Sequence, residues 1–209
     1  MADMEAVIWD LGGTLLNTYP DVDRALAAVI SAEPGESLLQ EVAQLTRRSS
    51  GEAISTLARR YDLPEHDLRT AYDGTKARWA DRPPPVMDGA REVLAAVRAT
   101  GGLNLVATHR ERDSAEALLA SLSLAVDDLV CAPDGFARKP DPAMVHALLE
   151  RHRLEPGDCL AVGDRPADVG AARAAGVRGV LLRTPGVALD AGDAEQIDHL
   201  PELLTLPDR

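Results

Sequence analysis

Three aspartates stand where a metal-dependent reaction would need them. Asp10 ends a short apolar run at residues 6–10, Asp164 ends another such run, and Asp168 follows four residues later. Carboxylates that separate strands deliver to one sheet edge form an oxygen-rich site of the kind Mg²⁺ prefers. Each aspartate also has a plainer interpretation, because Asp10 precedes a Gly-Gly turn and the other two could begin a helix that opens at Pro166.

A second group of side chains could hold an anion against that metal. Thr108, with His109 and Arg110 after it, ends the apolar run 103–108, and Lys139 lies in the segment ARKPDP. Lys139 is one of two lysines among 22 basic side chains, which indicates that a compact ammonium charge is needed there. A hydroxyl and a lysine facing a metal ion form a cradle for a phosphoryl group, whose transfer spreads negative charge over oxygen.

The elements that must position these side chains alternate along the chain. Apolar runs typical of buried strands cover residues 6–10, 103–108, 159–164 and 177–182, with a weaker fifth at 128–133. Helical patterns between them cover residues 88–101, 113–122, 141–154 and 166–177. This alternation predicts an α/β fold with a doubly wound, mostly parallel sheet, in which ligands bind beyond the carboxyl ends of the strands.

The segment from Asp21 to Asp81 breaks the alternation, because it contains helical patterns and no strand pattern. It predicts a small helical bundle inserted after the first strand, closed by the stiff run RPPPV at residues 82–86. We therefore expect a core domain formed by residues 1–17 and 86–209 and an α-helical domain formed by residues 18–85.

Composition limits the possible partners and location. The net charge of −12 over 209 residues argues against a nucleic-acid partner, which would need clustered basic residues, but it permits a small anionic ligand. The start MADMEA does not resemble a signal peptide, and no apolar stretch approaches the ~20 residues of a membrane span. Cys131 and Cys159 lack metal-ligand spacing and are interpreted as buried thiols. We expect a cytoplasmic monomer with no membrane partner.

The combined motifs resemble those of the haloacid dehalogenase superfamily of phosphohydrolases over nearly the whole chain. WDLGGTLL is similar to the first motif, LVATHR to the second, RKPDP to the third and AVGDRPADVGAARAAG to the fourth. The resemblance implies a Rossmann-like core with a mobile helical cap, as in phosphoglycolate phosphatases. It also implies a Mg²⁺-dependent phosphomonoesterase that acts on a small phosphorylated metabolite.

The resemblance further implies a role for each motif residue. Asp10 would be the nucleophile that forms an aspartyl-phosphate, while Thr108 and Lys139 would hold the phosphoryl oxygens. The implied Mg²⁺ site is formed by Asp10, the backbone carbonyl of Gly12, Asp164 and, in support, Asp168. Gly12, Gly13 and Arg110 would lie beside the substrate.

Gly12 departs from the pattern of the family. Its phosphatases usually read D-x-D-G-T, and the second Asp protonates the leaving group and later activates water. Here that position is Gly12, whose carbonyl can still serve a metal but which cannot transfer a proton. We predict that His109 replaces the missing acid, because it lies at the same sheet edge and an unperturbed histidine titrates near pH 6.5. An equally open alternative is that His109 only contacts phosphate or caps the next helix.

The altered position leaves other functions open. One alternative is a phosphate-ester-binding protein of the same fold with weak or no turnover. Another is a different reaction of the superfamily, since its dehalogenases carry Tyr at this position and its phosphonatases carry Ala with a Schiff-base lysine in the cap. Lys76, the one lysine of the predicted cap, lies near the end of the cap sequence, which argues against a phosphonatase.

The predicted cap also contains a candidate for substrate choice. Arg47 and Arg48 lie in the segment LTRRSSGEA, which joins two predicted helices. Arginine binds carboxylates in a bidentate manner, so one of the two could bind an acidic group remote from the phosphate. Either arginine could instead be a solvated residue that balances the dipole at the end of a helix.

Overall fold

Six parallel strands form one sheet in the computed structural model, which describes residues 4–206. In chain order they are β1 (Ala6–Trp9), β2 (Leu103–Thr108), β3 (Asp128–Cys131), β4 (Cys159–Gly163), β5 (Arg178–Leu182) and β6 (Glu195–Ile197). Their spatial order is β3-β2-β1-β4-β5-β6, so the strand order switches direction at β1. The predicted α/β fold with a doubly wound parallel sheet is confirmed.

Alternating side chains of the strands fill a hydrophobic core on each face of the sheet. In β1, Val7 and Trp9 pack into one cluster, whereas Ala6 and Ile8 pack into the other. Successive residues of a strand point to opposite faces, so a strand buried on both faces must be apolar throughout. This requirement explains why the central strands appear in the sequence as continuous apolar runs.

Within residues 4–206, eight α-helices cover the sheet and form the insertion. They are α1 (Tyr19–Ile30), α2 (Glu36–Thr46), α3 (Ser50–Tyr61), α4 (Glu65–Arg78), α5 (Ala90–Ala99), α6 (Arg112–Ser121), α7 (Ala143–His152) and α8 (Pro166–Ala174). The last four lie between strands, as the helical patterns predicted. None of the described helices combines the length and the apolar character needed to cross a membrane.

The last strand, β6, was not predicted from the sequence. It has three residues, of which Glu195 and Gln196 are polar and only Ile197 is fully buried. It pairs with β5 at the edge of the sheet, where one side of a strand has no neighbour. A strand this short and polar lacks the continuous apolar run by which the inner strands were found.

The four-helix insertion is joined to the sheet by two neighbouring segments. The amide of Asn17 donates to the carbonyl of Pro85 at 2.8 Å, and the amide of Met87 donates to the carbonyl of Leu15 at 2.9 Å. The chain therefore leaves for the helices and returns from them side by side. We call residues 18–85 the cap below, and the division into two domains stays a prediction.

Candidate active site

The carboxyl ends of β1, β2 and β4 meet at the point where the strand order switches. Asp10 follows β1, Thr108 ends β2 and Asp164 follows β4, while Asp168 lies in the first turn of α8. All four side chains are buried. The predicted convergence of these residues is thus present, because the parallel strands bring their ends to the same sheet edge.

Lys139 lies between two of these carboxylates. Its Nζ is 2.7 Å from Asp10 Oδ1 and 2.6 Å from Asp168 Oδ1, and all three side chains are shielded from solvent. Burial by itself would lower the pKa of Lys139, but the charges of Asp10 and Asp168 raise it above its ordinary value. Lys139 therefore stays protonated and holds a fixed positive charge beside Asp10.

The pKa of Asp168 is lowered in the folded protein, whereas the pKa values of Asp10 and Asp164 are raised. Burial would raise the pKa of Asp168, but the charges of Lys139 and Arg165 lower it. For Asp10, burial raises the pKa and the charge of Lys139 offsets only part of the effect. Burial also raises the pKa of Asp164 to about 7. The site thus contains more buried negative charge than its own basic residues balance.

These acids are suited to hold a cation. One oxygen from each of Asp10, Asp164 and Asp168 lies within 4.8 Å of the others. Asp10 Oδ2 is buried and, within the described part of the chain, has no hydrogen-bond partner. An unpaired buried carboxylate oxygen is costly, and a cation would satisfy it. Because all the donors are carboxylate oxygens, the residues fit Mg²⁺.

The two glycines after Asp10 make a close turn against Asp164. Gly13 has φ of +103°, and a Cβ placed there would lie 2.4 Å from Tyr19 Cε2 and 2.6 Å from the carboxylate of Asp164. Position 13 therefore requires glycine. A Cβ on Gly12 would lie 3.2 Å from Thr18 Oγ1, so the space beside it is tight but not closed.

Tyr19 is a residue of the site that the sequence did not indicate. Its hydroxyl donates to Asp164 Oδ2 at 2.5 Å, while Thr14 Oγ1 donates to Asp164 Oδ1 at 3.1 Å. Tyr19 lies at the start of α1, and its ring stacks under the guanidinium of Arg47 at 3.7 Å. Only the docking of the cap on the sheet brings it to Asp164, 145 positions away in the chain.

Arg165 is a second site residue that was not predicted. It follows Asp164 directly, lines the cavity at the ends of the strands, and its Nε is buried with no hydrogen-bond partner among residues 4–206. The apolar run that ends in Asp164 located the acid, but it did not indicate where the next side chain would point.

A cavity of about 500 Å³ lies between this cluster and the cap. Asp10, Gly12, Thr108 and Lys139 are among the residues that line it, and its two acidic lining residues are Asp10 and Glu111. The basic residues that line it besides Lys139 are Arg48, Arg69, Lys76, Arg110, Arg138 and Arg165. A cavity with this lining, in a chain of net charge −12, is suited to a small anion.

The structure places Arg47 and Arg48, of which one was predicted to bind an acidic group of the substrate, in different surroundings. Arg48 is exposed and lines the cavity. Arg47 is buried, forms an ion pair with Asp23 of α1, and is not among the residues that line the cavity. The guanidinium of Arg47 is held between Asp23 and the ring of Tyr19, so Arg48 is the one of the pair that stays a candidate for binding substrate.

His109 and Arg110 both lie at the cavity, but His109 does not fit the role of proton donor. Its Nε2 accepts a hydrogen bond of 2.9 Å from the backbone amide of Lys139. Burial, aided by the charge of Lys139, lowers the pKa of His109 to about 3, so the ring is neutral near pH 7. Arg110 places its guanidinium 4.8 Å from the ring centre of Trp79 in the cap.

Comparison with known proteins gives the family. The model of the haloacid dehalogenase-like hydrolases matches residues 4–176. The chain belongs to this family. Within the family it lies in the branch of the phosphoglycolate phosphatases, as the sequence motifs predicted.

Two relatives and one solved structure illustrate this placement. The phosphoglycolate phosphatase of Rhodospirillum rubrum is 36% identical over 193 residues, which cover 85% of this chain and 79% of that protein. The N-acetylmuramic acid 6-phosphate phosphatase of Pseudomonas aeruginosa is 30% identical over 220 residues, which cover 99% and 96%. The crystal structure of a predicted phosphoglycolate phosphatase from Haemophilus somnus has a TM-score of 0.80 at 18% identity, covers 98% of both chains, and shows the shared fold.

Proposed function

We propose that this hydrolase is a Mg²⁺-dependent phosphomonoesterase that cleaves a small phosphorylated metabolite through an aspartyl-phosphate at Asp10. The observation that carries the proposal is the unpaired Oδ2 of Asp10, buried at the floor of a cavity with a basic lining. A carboxylate oxygen without a hydrogen bond keeps its lone pairs available. Lys139 holds the other oxygen and so fixes the orientation of the carboxylate.

The residues around Asp10 have defined roles in this reaction. The ester enters the cavity, Asp10 attacks phosphorus, and Lys139 and Thr108 bind the phosphoryl oxygens whose negative charge grows in the transition state. Asp10, Asp164 and the carbonyl of Gly12, supported by Asp168, would hold Mg²⁺. When bound, this ion would neutralise further charge on the phosphoryl group. Water then hydrolyses the aspartyl-phosphate and releases phosphate.

The proposed substrate is a small phosphate ester that carries further negative charge besides its phosphate group. Relatives carry the names phosphoglycolate phosphatase and N-acetylmuramic acid 6-phosphate phosphatase, which are both phosphatases of small metabolites. The basic residues of the cavity support such a substrate, because they exceed what one phosphate needs. We also propose a cytoplasmic monomer. Cys131 and Cys159 are buried free thiols, as expected in a reducing compartment.

A direct test uses the full-length protein with Mg²⁺ and acid-quenched radiolabelled substrate. We expect radiolabelled phosphate to be trapped on the wild type but not on Asp10→Asn. The substrate panel consists of 2-phosphoglycolate, N-acetylmuramic acid 6-phosphate and pyrophosphate. We expect turnover of its members to stop when a chelator is added. Asp193→Asn, which changes an exposed carboxylate, is the matched control. Full activity in Asp10→Asn would contradict the covalent mechanism, and activity that resists the chelator would contradict the need for a metal.

One alternative function rests on Gly12, which supplies no acid or base for turnover. A protein that only binds phosphate esters would bind members of the panel in calorimetry and form no phosphoenzyme. A dehalogenase would act on haloacids without a metal. The phosphonatase alternative requires a lysine that attacks the substrate, whereas Lys76 lies over the ring of Tyr72 at 4.5 Å and pairs with Asp73 at 3.6 Å.

A further inference from the structure

Because position 12 has no carboxyl group, no side chain there can donate a proton to the leaving group. When the bond between phosphorus and the ester oxygen breaks, that oxygen keeps the electron pair and becomes negatively charged. A positioned general acid, which would neutralise it by giving a proton, is typically worth about 10²–10⁴ in rate. Gly12 gives no proton, and the neutral ring of His109 is engaged with the amide of Lys139.

We propose that Arg165 is a catalytic residue that stabilises the leaving-group oxygen with a fixed positive charge in place of a donated proton. The proposal rests on the proposed phosphatase function and names a group of this chain that the family motifs do not assign. In this step the Asp10–phosphorus bond forms and the phosphorus–oxygen bond of the ester breaks. The departing oxygen binds the guanidinium and then takes its proton from water in the open cavity, and the hydroxide that remains is consumed when the aspartyl-phosphate is hydrolysed.

The first support for this role is that Arg165 is available. It lines the cavity, its Nε is buried, and no hydrogen-bond partner for that nitrogen lies within residues 4–206. None of the ion pairs within residues 4–206 involves Arg165, although it directly follows Asp164 of the acid cluster. A buried charged donor without a partner is costly, so the position calls for an anionic ligand.

The second support is that Arg165 lines the same cavity as the space left by Gly12. A side chain at position 12 would point to Thr18, and Gly12, Thr18 and Asp10 all line the cavity that Arg165 lines. An ester bound at Asp10 can therefore meet both the space left by Gly12 and the charge of Arg165.

Arginine is well suited to this task. Its guanidinium remains charged at any pH at which the enzyme works, and it offers several donors in a planar array. A donor aimed at an oxygen that gains charge in the transition state typically contributes about 10²–10³ in rate. The benefit depends on the leaving group, because an oxygen that disperses its own charge needs little help.

The experiment measures kcat/KM with Mg²⁺ for a series of phosphate esters that runs from 4-nitrophenyl phosphate to alkyl phosphates. We expect Arg165→Gln to lose about 10²-fold on alkyl phosphates and clearly less on 4-nitrophenyl phosphate. Arg165→Lys keeps the charge and should recover part of the alkyl activity. Arg138→Gln, which removes another basic residue of the cavity, is the matched control and should leave the dependence on the leaving group unchanged.

Making the same substitution in a Gly12→Asp variant tests whether Arg165 acts on the departure of the leaving group. In the Gly12→Asp variant the protonated carboxyl group of the new aspartate can supply the proton, so adding Arg165→Gln there should cost less on alkyl phosphates than it costs in the wild type. Equal losses on all leaving groups would overturn the proposal, because they would mean that Arg165 holds the phosphoryl group or only the fold. Equal costs in the two backgrounds would overturn it as well.

The remaining outcomes of the experiment are also decisive. If Arg165→Gln does not fold, as judged by circular dichroism, the wild-type series still tests the proposal. A shallow dependence on the leaving group supports it, and a dependence as steep as that of the uncatalysed reaction overturns it. Turnover without any selective loss in Arg165→Gln rejects this inference and keeps the proposed function, whereas a wild type inactive on every ester rejects both.

Discussion

The hydroxyl of Tyr19 donates a hydrogen bond of 2.5 Å to Asp164 Oδ2. Tyr19 begins the first helix of the cap, whereas Asp164 follows the central strand β4 of the sheet. The bond therefore joins the cap to the acid cluster directly. Since Thr14 donates to the other oxygen, both oxygens of Asp164 are oriented by neighbouring hydroxyls.

Removing the Tyr19 hydroxyl tests the strength of this link. We expect Tyr19→Phe to lower the free energy of unfolding by about 1.5–3 kcal/mol, because the lost hydrogen bond is buried and its acceptor is a carboxylate. Tyr61→Phe removes a hydroxyl that donates to Glu41 at a partly exposed position, and it should cost ~1 kcal/mol or less. Urea unfolding of both variants provides the measurement, and equal losses would contradict a special role for the Tyr19 contact.

Much of the fold could be predicted because burial on both faces leaves a clear pattern. The runs that became β1 and β4 are apolar throughout, the run of β2 is apolar apart from Asn104 and Thr108, and parallel strands must bring their carboxyl ends together. Asp10, Thr108 and Asp164 could therefore be placed at one site without any knowledge of contacts. The lysine beside them was found from composition, since the chain otherwise uses arginine.

The residues that were missed depend on how the cap packs. Tyr19 reaches the site only when α1 docks on the sheet, and no periodicity encodes that distance. Either Arg47 or Arg48 was expected to bind the substrate from the segment between two cap helices, and only the packed structure shows that Arg47 pairs with Asp23 of α1 instead. His109 was expected to titrate near neutrality, and its burial beside Lys139 could not be known from its type alone.

Lys139 should be a large contributor to stability as well as to catalysis. Lys139→Ala leaves Asp10 and Asp168 buried without their shared cation, which typically costs about 3–5 kcal/mol. Lys76→Ala removes a partly exposed lysine that pairs with Asp73 and lies over the ring of Tyr72, and it should cost ~1 kcal/mol or less. Unfolding in urea without Mg²⁺ measures both. Similar costs would show that the buried pairs of Lys139 are not stabilising.

Arg47 and Arg48 are adjacent in the chain and should respond in opposite ways to substitution. Arg47→Met leaves Asp23 buried and unpaired, so we expect a loss of about 3–5 kcal/mol in the free energy of unfolding. Arg48→Ala changes an exposed residue and should alter stability by ~0.5 kcal/mol or less. It should instead raise KM for the anionic substrate but not for 4-nitrophenyl phosphate. An unchanged KM would remove Arg48 from substrate binding.

His109 should make the protein less stable in acid. Its pKa is about 3 in the folded protein, against an ordinary value of 6.5. Below pH 6.5 the unfolded chain therefore binds a proton that the folded protein does not bind, so stability is full above this pH and falls as the pH decreases towards 3.

Replacing the histidine should weaken this dependence. We expect His109→Gln to flatten the slope of the unfolding free energy between pH 6.5 and 4, measured by urea unfolding at several pH values. His66→Gln, which replaces an exposed histidine of the cap, should keep the wild-type slope. A steep slope that persists in His109→Gln would assign the acid sensitivity to other groups.

Gly12 and Gly13 differ in what they can accept, although they are neighbours in the same turn. Gly13→Ala would place a Cβ 2.4 Å from the ring of Tyr19 in a left-handed backbone conformation, which alone costs about 1–3 kcal/mol. Gly12→Ala would place a Cβ 3.2 Å from Thr18 Oγ1, a contact that a small shift of Thr18 can relieve. Thermal unfolding should therefore show a large loss for Gly13→Ala and a small one for Gly12→Ala.

Because position 12 accepts a side chain, Gly12→Asp can test what the missing carboxylate would add. A positioned acid typically contributes about 10²–10⁴ in rate, so kcat/KM on alkyl phosphates should rise within or below that range. Activity on 4-nitrophenyl phosphate should change little, since its leaving group needs no proton. Gly12→Asn has nearly the same shape without the acid and is the matched control. If Gly12→Asn raises alkyl turnover as much as Gly12→Asp, the gain comes from shape, and proton donation is not what position 12 lacks.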